Sequence, residues 1–259
     1  LQLPAITRKT DRGLPRYGDD EESDTFILSG SEDLVPVAED DVGSGRGMPI
    51  IRNVDGVAYR VRRYRPRIEA LFARIERWTA LDSGEIHWRS ISRDNVTTHY
   101  GKTAESRIAD PDDSRRAFSW LICESFDDKG NALVYEYVQE DSAGIDASQP
   151  HERNRTERSR AANRYLKRIK YGNCPSRLVE RDHSRARWLF EVAFDYDEGH
   201  FETLPVDGEG RDFVEASLTP TRHWSLRADP FSTYRAAFEV RTYRLCRRVL
   251  MFHCFPEEL

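Results

Sequence analysis

The stretch from Phe118 to Gln139, FSWLICESFDDKGNALVYEYVQ, constrains this chain more than any other. Phe118, Trp120, Ile122 and Phe126 alternate with Ser119, Leu121, Cys123 and Ser125, a two-residue period that sets one aromatic-rich face against an apolar layer. The run ends at Asp127-Asp128-Lys129-Gly130-Asn131. Gly130 and Asn131 tolerate positive φ, and either aspartate can close the turn with its own carboxylate, so the chain reverses within about five residues. Leu133, Tyr135 and Tyr137 make the returning arm. The expectation is one long β-hairpin, whose arms exceed the usual strand of about five or six residues and call for a large, continuous antiparallel sheet. The hairpin carries no nucleophilic or metal-binding signature.

Composition agrees with a sheet that has one wet face. Of the 259 residues, 38% are hydrophobic and 33% charged, and the mean hydropathy is −0.73, poor for a thick core. Aromatics at 11% are too many for a disordered chain. The net charge of −5 gives no overall pull toward nucleic acid or anionic lipid. Positive charge is nearly all arginine, the lysines being Lys9, Lys102, Lys129, Lys167 and Lys170. Bidentate arginine–carboxylate pairing and GC-rich coding both account for that bias. Cys123, Cys174, Cys246 and Cys254 show no CxxC spacing and no histidine at finger spacing, which argues against zinc. Cys123 and Cys246 sit in strand-like runs, where free cysteine acts as a small buried hydrophobe. No window approaches 18 apolar residues, and LQLPAITRKT lacks the apolar region of a Sec signal. The chain has no initiator Met and stops at FPEEL just after an apolar run, which reads as part of a longer protein.

In chain order, Thr25 to Ser29 and Leu34 to Val37 read as short strands. Ala38 to Pro49 is acidic and then glycine-rich; it lacks the strand–loop–helix context and Lys-Ser/Thr ending of a phosphate loop and reads as a surface loop. Val57, Tyr59 and Val61 mark a half-buried strand. In RPRIEALFARIERW, Ile68, Leu71, Phe72 and Ile75 match a helical template after Pro66, while Leu71, Ala73 and Ile75 also match a strand. Glu85 to Ile91 and Val96 to Tyr100 are two further strands. Asp141 to Arg160 is a charged surface loop without the interleaved aromatics of a nucleic-acid arm. Tyr165 to Tyr171 is a strand. Trp188, Phe190, Val192, Phe194 and Tyr196 alternate with polar residues in the clearest two-residue period of the chain, ending at Asp197-Glu198-Gly199. Asp195 and Asp197 lack the later ligands of a calcium loop, and Asp207 to Asp212 likewise reads as a turn. Phe238 to Phe252 reads as one long strand or two collinear ones.

The seven histidines are scattered, with no HExxH, GxSxG or Cys–His signature. Carboxylate pairs such as Glu136 and Glu140 are abundant and unremarkable without geometry. The residues therefore mark no catalytic, cofactor-binding or metal-ligating site.

Ordered motifs say more than the chemistry. GLPRY (Gly13 to Tyr17), FILSGSEDLVPV (Phe26 to Val37), YRVRRYRPRIEALFARIERW (Tyr59 to Trp78) and HWRSISRDNVTTHYG (His87 to Gly101) resemble the SpvB family. NRYLKRIKYGN (Asn163 to Asn173) and DPFSTYRAAFEVRTYRLCRRVLMFH (Asp229 to His253) continue the likeness in the same order, so it covers nearly the whole chain. The family includes the Salmonella plasmid virulence protein and the B components of insecticidal Tc toxin complexes.

The resemblance implies a mainly β domain over residues 1–259, with long antiparallel strands and hairpins forming part of a curved shell, little helix, and surface loops at 38–49 and 141–160. It turns RPRIEALFARIERW into a strand. It implies a secreted toxin section, cytoplasmic before export, that helps enclose and deliver a cytotoxic cargo. The partners are an Rhs-repeat C component and a pentameric A component, contacted largely outside this chain, with no nucleic acid and no direct membrane insertion. The Salmonella branch carries its actin ADP-ribosyltransferase in a separate C-terminal region. No Arg…Ser-Thr-Ser…Glu-x-Glu pattern is present here, so the resemblance implies a non-enzymatic domain with no catalytic residue, cofactor or metal. The other reading it allows is the N-terminal delivery half of such an effector.

Overall fold

The computed structural model describes residues 3–29, 32–37, 50–68, 72–204 and 213–255. The glycine-rich stretch 38–49 and the stretch 207–212 lie outside the described residues. The fold is mainly β, as expected. Helical structure among the described residues is a 3-10 turn at Ala104–Ser106 and a single turn, α1, at Glu157–Arg160.

Strands β1 (Ala5–Arg8), β2 (Phe26–Leu28), β3 (Glu32–Pro36), β4 (Ile50–Val54), β5 (Val57–Pro66), β6 (Arg74–Ala80), β7 (Ile86–Ile91), β8 (Thr97–Tyr100), β9 (Arg107–Asp110) and β10 (Asp113–Phe126) build the first half. Neighbouring strands pair antiparallel in the order β1-β2-β3-β5-β6-β7-β8-β10, and β10 pairs back onto β1. The ring is therefore a closed antiparallel barrel, which removes its edges. Ile6, Phe26, Tyr64, Ile75, Trp88 and Trp120 fill it. Phe26 meets Trp88 at 4.9 Å and Trp120 at 5.7 Å between ring centroids, edge to face, and Trp120 Nε1 donates to the Ile86 carbonyl at 2.8 Å.

The acidic run between β1 and β2 lies at one end of this barrel. Arg8, fully buried, donates to both oxygens of Asp19 and to Asp24. Tyr64 donates to Glu22, which Arg62 also contacts. Arg77 is buried over the Phe26 and Tyr64 rings and donates to the Asp19 carbonyl. Ring faces thus meet a guanidinium whose Nε and Nη1 have no oxygen acceptor among the described residues.

The second half extends from β10 as β11 (Ala132–Gln139), β12 (Arg164–Cys174) and β13 (Arg187–Asp195). Two short hairpins follow, β14 (Phe201–Leu204) with β15 (Phe213–Ala216), and β16 (Phe231–Thr233) with β17 (Val240–Thr242). The last strand, β18 (Arg248–His253), returns to β13.

Three expectations need correction. The central hairpin is real at its tip, where Asp127 accepts from the amides of Lys129 and Asn131, but its arms pair only at Glu124–Phe126 with Ala132–Val134. Beyond that, β1 occupies the β10 edge along Ser119–Leu121, so β11 diverges and pairs with β12. β10 is the fork between barrel and tail, which is why both of its sides are buried.

The helical template after Pro66 is not a helix, nor one strand. Strands β5 and β6 flank a hairpin tip at which Ile68 and Phe72 are exposed, with Phe72 at φ 46°, while Ile75 is in the barrel core; Glu69 to Leu71 lie outside the described residues.

The third correction is at Phe238 to Phe252. β17 and β18 belong to different sheets, because Arg244, between them, turns inward to Glu140. Cys246 lies in that connection, not in a strand, and all four cysteines are free.

Candidate functional surface

The tail sheet has two unlike faces. Cross-strand partners give one row of Leu133, Tyr171, Phe190 and His253 and another of Tyr135, Ile169, Val192 and Met251. The alternate rows carry Lys170 paired with Glu136 at 2.7 Å and Arg168 paired with Glu191 at 3.1 Å. Period-2 alternation in β12 and β13 therefore separates an aromatic face from an ionic one.

Part of the aromatic face is covered. Trp224, Tyr196 and Tyr165 pack with Phe194 over Ile169 and Val192. Toward β18 the cover ends: Met251 is 63% exposed and Val249 59%. β18 has β13 on one side and, among the described residues, no strand on the other. An edge strand with exposed aliphatic residues is a ready template for a further strand.

Buried and half-buried ion pairs tie the intervening segments to this sheet and to one another. Arg244 reaches Glu140 and the carbonyls of Trp224 and Ala143. Glu152 accepts from Arg160 and from the Tyr243 hydroxyl, and Arg155 grips Glu239 through two bonds of 2.8 Å. Arg244 and Arg155 each engage both oxygens of one carboxylate and are bidentate pairs of the kind that the composition left open.

On the barrel's outer surface, Tyr59, Trp78, His87, His99 and Phe126 form a ladder of ring contacts across successive strands. Burial lowers the His87 pKa to about 3 and the His99 pKa to about 4, and the cations Lys102 and Arg89 near both rings add to the effect. Beside the ladder, one extra residue in β10, Cys123, shifts the register so that Glu124 stands opposite His99. Glu124 is buried, yet its partners Arg177, His183 and Lys102 hold its pKa down near 2. Sequence spacing gave no sign of this cluster, because its members are contributed by three separated segments: the turn after β8, β10, and the loop between β12 and β13. Among the described residues no group of three or more His, Cys, Asp or Glu side chains is arranged to hold a metal ion.

Against known families, residues 1–255 match the model described as Salmonella virulence plasmid 65kDa B protein, SpvB. The chain belongs to the SpvB family. A curated SpvB relative, the mono(ADP-ribosyl)transferase SpvB of Salmonella typhimurium, is 34% identical over 98% of this chain, and the Salmonella dublin protein is similar to the same degree. The chain spans only 42% of the Salmonella typhimurium protein's length. The solved N-terminal domain of effector protein SpvB from Salmonella typhimurium superposes with a TM-score of 0.83 at 33% identity, covering 99% of this chain and 77% of that one. The TcdB2-TccC3 crystal structure gives 0.78 at 30% identity, covering 97% of this chain and 11% of that one. This SpvB-family chain is thus similar both to the N-terminal part of an effector and to a section of a Tc toxin component.

Proposed function

We propose that this chain is a non-enzymatic structural domain of a Tc-type toxin, one section of the β-sheet shell that encloses a cytotoxic cargo and helps deliver it. The observation that carries the reading is the join at β10. A barrel closes on one side, while a tail sheet on the other ends in β18, an apolar strand that pairs with β13 and, among the described residues, has no strand on its other side. Such an arrangement suits a wall segment: one end sealed, the other ready to continue the sheet. The likeness to a section of TcdB2-TccC3 supports this reading. Export from the producing cell and contact with an Rhs-repeat C component and an A component belong to the same proposal.

A second reading has its own support. The curated relatives are named mono(ADP-ribosyl)transferases, and this chain matches less than half of their length. In that reading the domain is the delivery half of an effector whose transferase lies elsewhere.

Co-expression of this chain with an Rhs-repeat C component tests the first reading. A co-eluting complex that shields the C component's cargo from protease is expected, and Val249→Lys with Met251→Lys should abolish it. Separate elution of the wild-type chain, with the cargo digested, would overturn the shell assignment.

A further inference from the structure

One end of the barrel carries a charge opposite to that of the whole chain. Along β5, Tyr64 and Pro66 are buried in the barrel, so Arg63, Arg65 and Arg67 share its outer surface and are all exposed. Cross-strand partners set Arg8, Phe26, Leu34 and Pro66 in one row across β1, β2, β3 and β5. The loop that leaves β1 and the tip that leaves β5 therefore emerge at the same end. That loop brings Arg12 and Arg16 to a cleft of about 280 Å³ that Arg67 also lines.

The carboxylates on this surface are already engaged. Lys9 donates to Asp33 at 2.6 Å and lies 3.2 Å from Asp11, while Arg67 stands 3.8 Å from Asp33. Arg8 holds Asp24, and Glu76, opposite Arg63, is taken by Arg74 and Arg89. Arg12, Arg16, Arg63 and Arg65 have no ion pair among the described residues. Four guanidinium groups are thus in surplus locally, on a chain of net charge −5. Large apolar side chains project at the same end: Leu14, on the cleft, is 62% exposed, and Ile68 and Phe72 at the β5–β6 tip are 67% and 69% exposed.

Projecting apolar side chains among unpaired arginines are the chemistry of a peripheral seat on an anionic bilayer. Guanidinium forks match phosphate and carboxylate headgroups, and the apolar side chains reach the acyl boundary. An extended acidic polypeptide would satisfy the arginines and leave the projecting side chains in water. We propose that this end of the barrel docks on an anionic lipid surface, with Arg12, Arg16, Arg65 and Arg67 at the headgroups, Leu14, Ile68 and Phe72 in the interface, and no strand crossing the bilayer.

Flotation of the chain with vesicles of phosphatidylcholine and phosphatidylserine mixed three to one tests this, with vesicles of phosphatidylcholine alone as the control. Binding to the mixed vesicles only, weakened by added salt, is expected. Arg12→Gln with Arg65→Gln should weaken that binding about thirtyfold, since each arginine near an anionic surface is worth about fivefold. Ile68→Ser with Phe72→Ser should weaken it as well. All four positions are exposed, and circular dichroism checks that both variants fold. The proposal is overturned if the wild-type chain fails to float with the mixed vesicles, or if either folded variant floats as wild type does. Tighter binding to soluble polyglutamate than to the mixed vesicles would also overturn it and assign the surface to an acidic polypeptide.

Discussion

Glu140 and Arg244, 104 residues apart, form a bidentate ion pair in which neither side chain has any solvent exposure. The remaining guanidinium donors reach the Trp224 and Ala143 carbonyls, so one residue locks the C-terminal strands onto the end of β11. Removing one partner leaves a buried charge without compensation, at a cost of about 3–5 kcal/mol. Arg244→Met is therefore expected to lower the urea midpoint strongly. Glu140→Leu combined with Arg244→Met should cost clearly less than the sum of the single changes. Additive losses in that double-mutant cycle would show that the two side chains act independently.

His87 and His99 predict an acid-sensitive barrel. Their folded pKa values, about 3 and about 4, lie below the ordinary 6.5. The unfolded chain therefore takes up protons first as pH falls. Stability is fully present above pH 6.5 and declines below it, toward the folded values. At pH 5 each histidine accounts for up to about 2 kcal/mol. Glu124 acts in a lower window: its folded pKa near 2 lies below the ordinary 4.5, so its stabilisation is lost as pH falls from about 4.5 toward 2. Urea melts from pH 7.5 to 5 should show the first decline, and His87→Gln with His99→Gln should flatten it. An unchanged slope in that variant would remove the ladder from the explanation.

Gly101 predicts a third, local failure. It sits at φ +65° immediately after β8, where an added Cβ would lie 2.2 Å from Trp120 Cδ1, and its amide donates to the Leu121 carbonyl at 2.8 Å. Gly101→Ala combines a left-handed backbone with overpacking against a fully buried ring and should cost about 2–5 kcal/mol. Tryptophan fluorescence during denaturation reads the change directly. A melt matching wild type would mean that Trp120 can move aside.

These sites show where the sequence was legible. Alternation along Trp188 to Tyr196 yields β13 because its two faces meet different surroundings, one aromatic and one ionic. The Asp127 turn is local chemistry and was readable for the same reason. Barrel closure was not readable, since β1 meets β10 across more than a hundred residues and no short-range period encodes such a partner. The same holds for Glu124, whose Arg177 and His183 partners come from a distant loop. At Pro66 to Trp78 the periodicity misled because Ile68 and Phe72 are apolar yet exposed at a hairpin tip. The family likeness supplied the strand assignment that periodicity missed, though the observed chain interrupts that strand with the tip.

The edge of β18 supplies the last prediction. Val249 and Met251 are exposed on the strand that ends the tail sheet, and Arg247 and Arg248 are the charges at its start. A strand this apolar, with one backbone edge unpaired among the described residues, should join a second copy when the isolated chain is concentrated. Light scattering should therefore show concentration-dependent association together with a β-type circular dichroism spectrum. Val249→Lys with Met251→Lys places two ammonium groups on that strand. Because both positions are solvent-exposed, each change should alter stability by no more than about 0.5 kcal/mol while association is lost. Association that persists in the doubly substituted chain would direct attention to another surface. The exposed aliphatic residues of β4, Ile50, Ile51 and Val54, would then be the next to test, because β4 pairs with β5 outside the barrel ring.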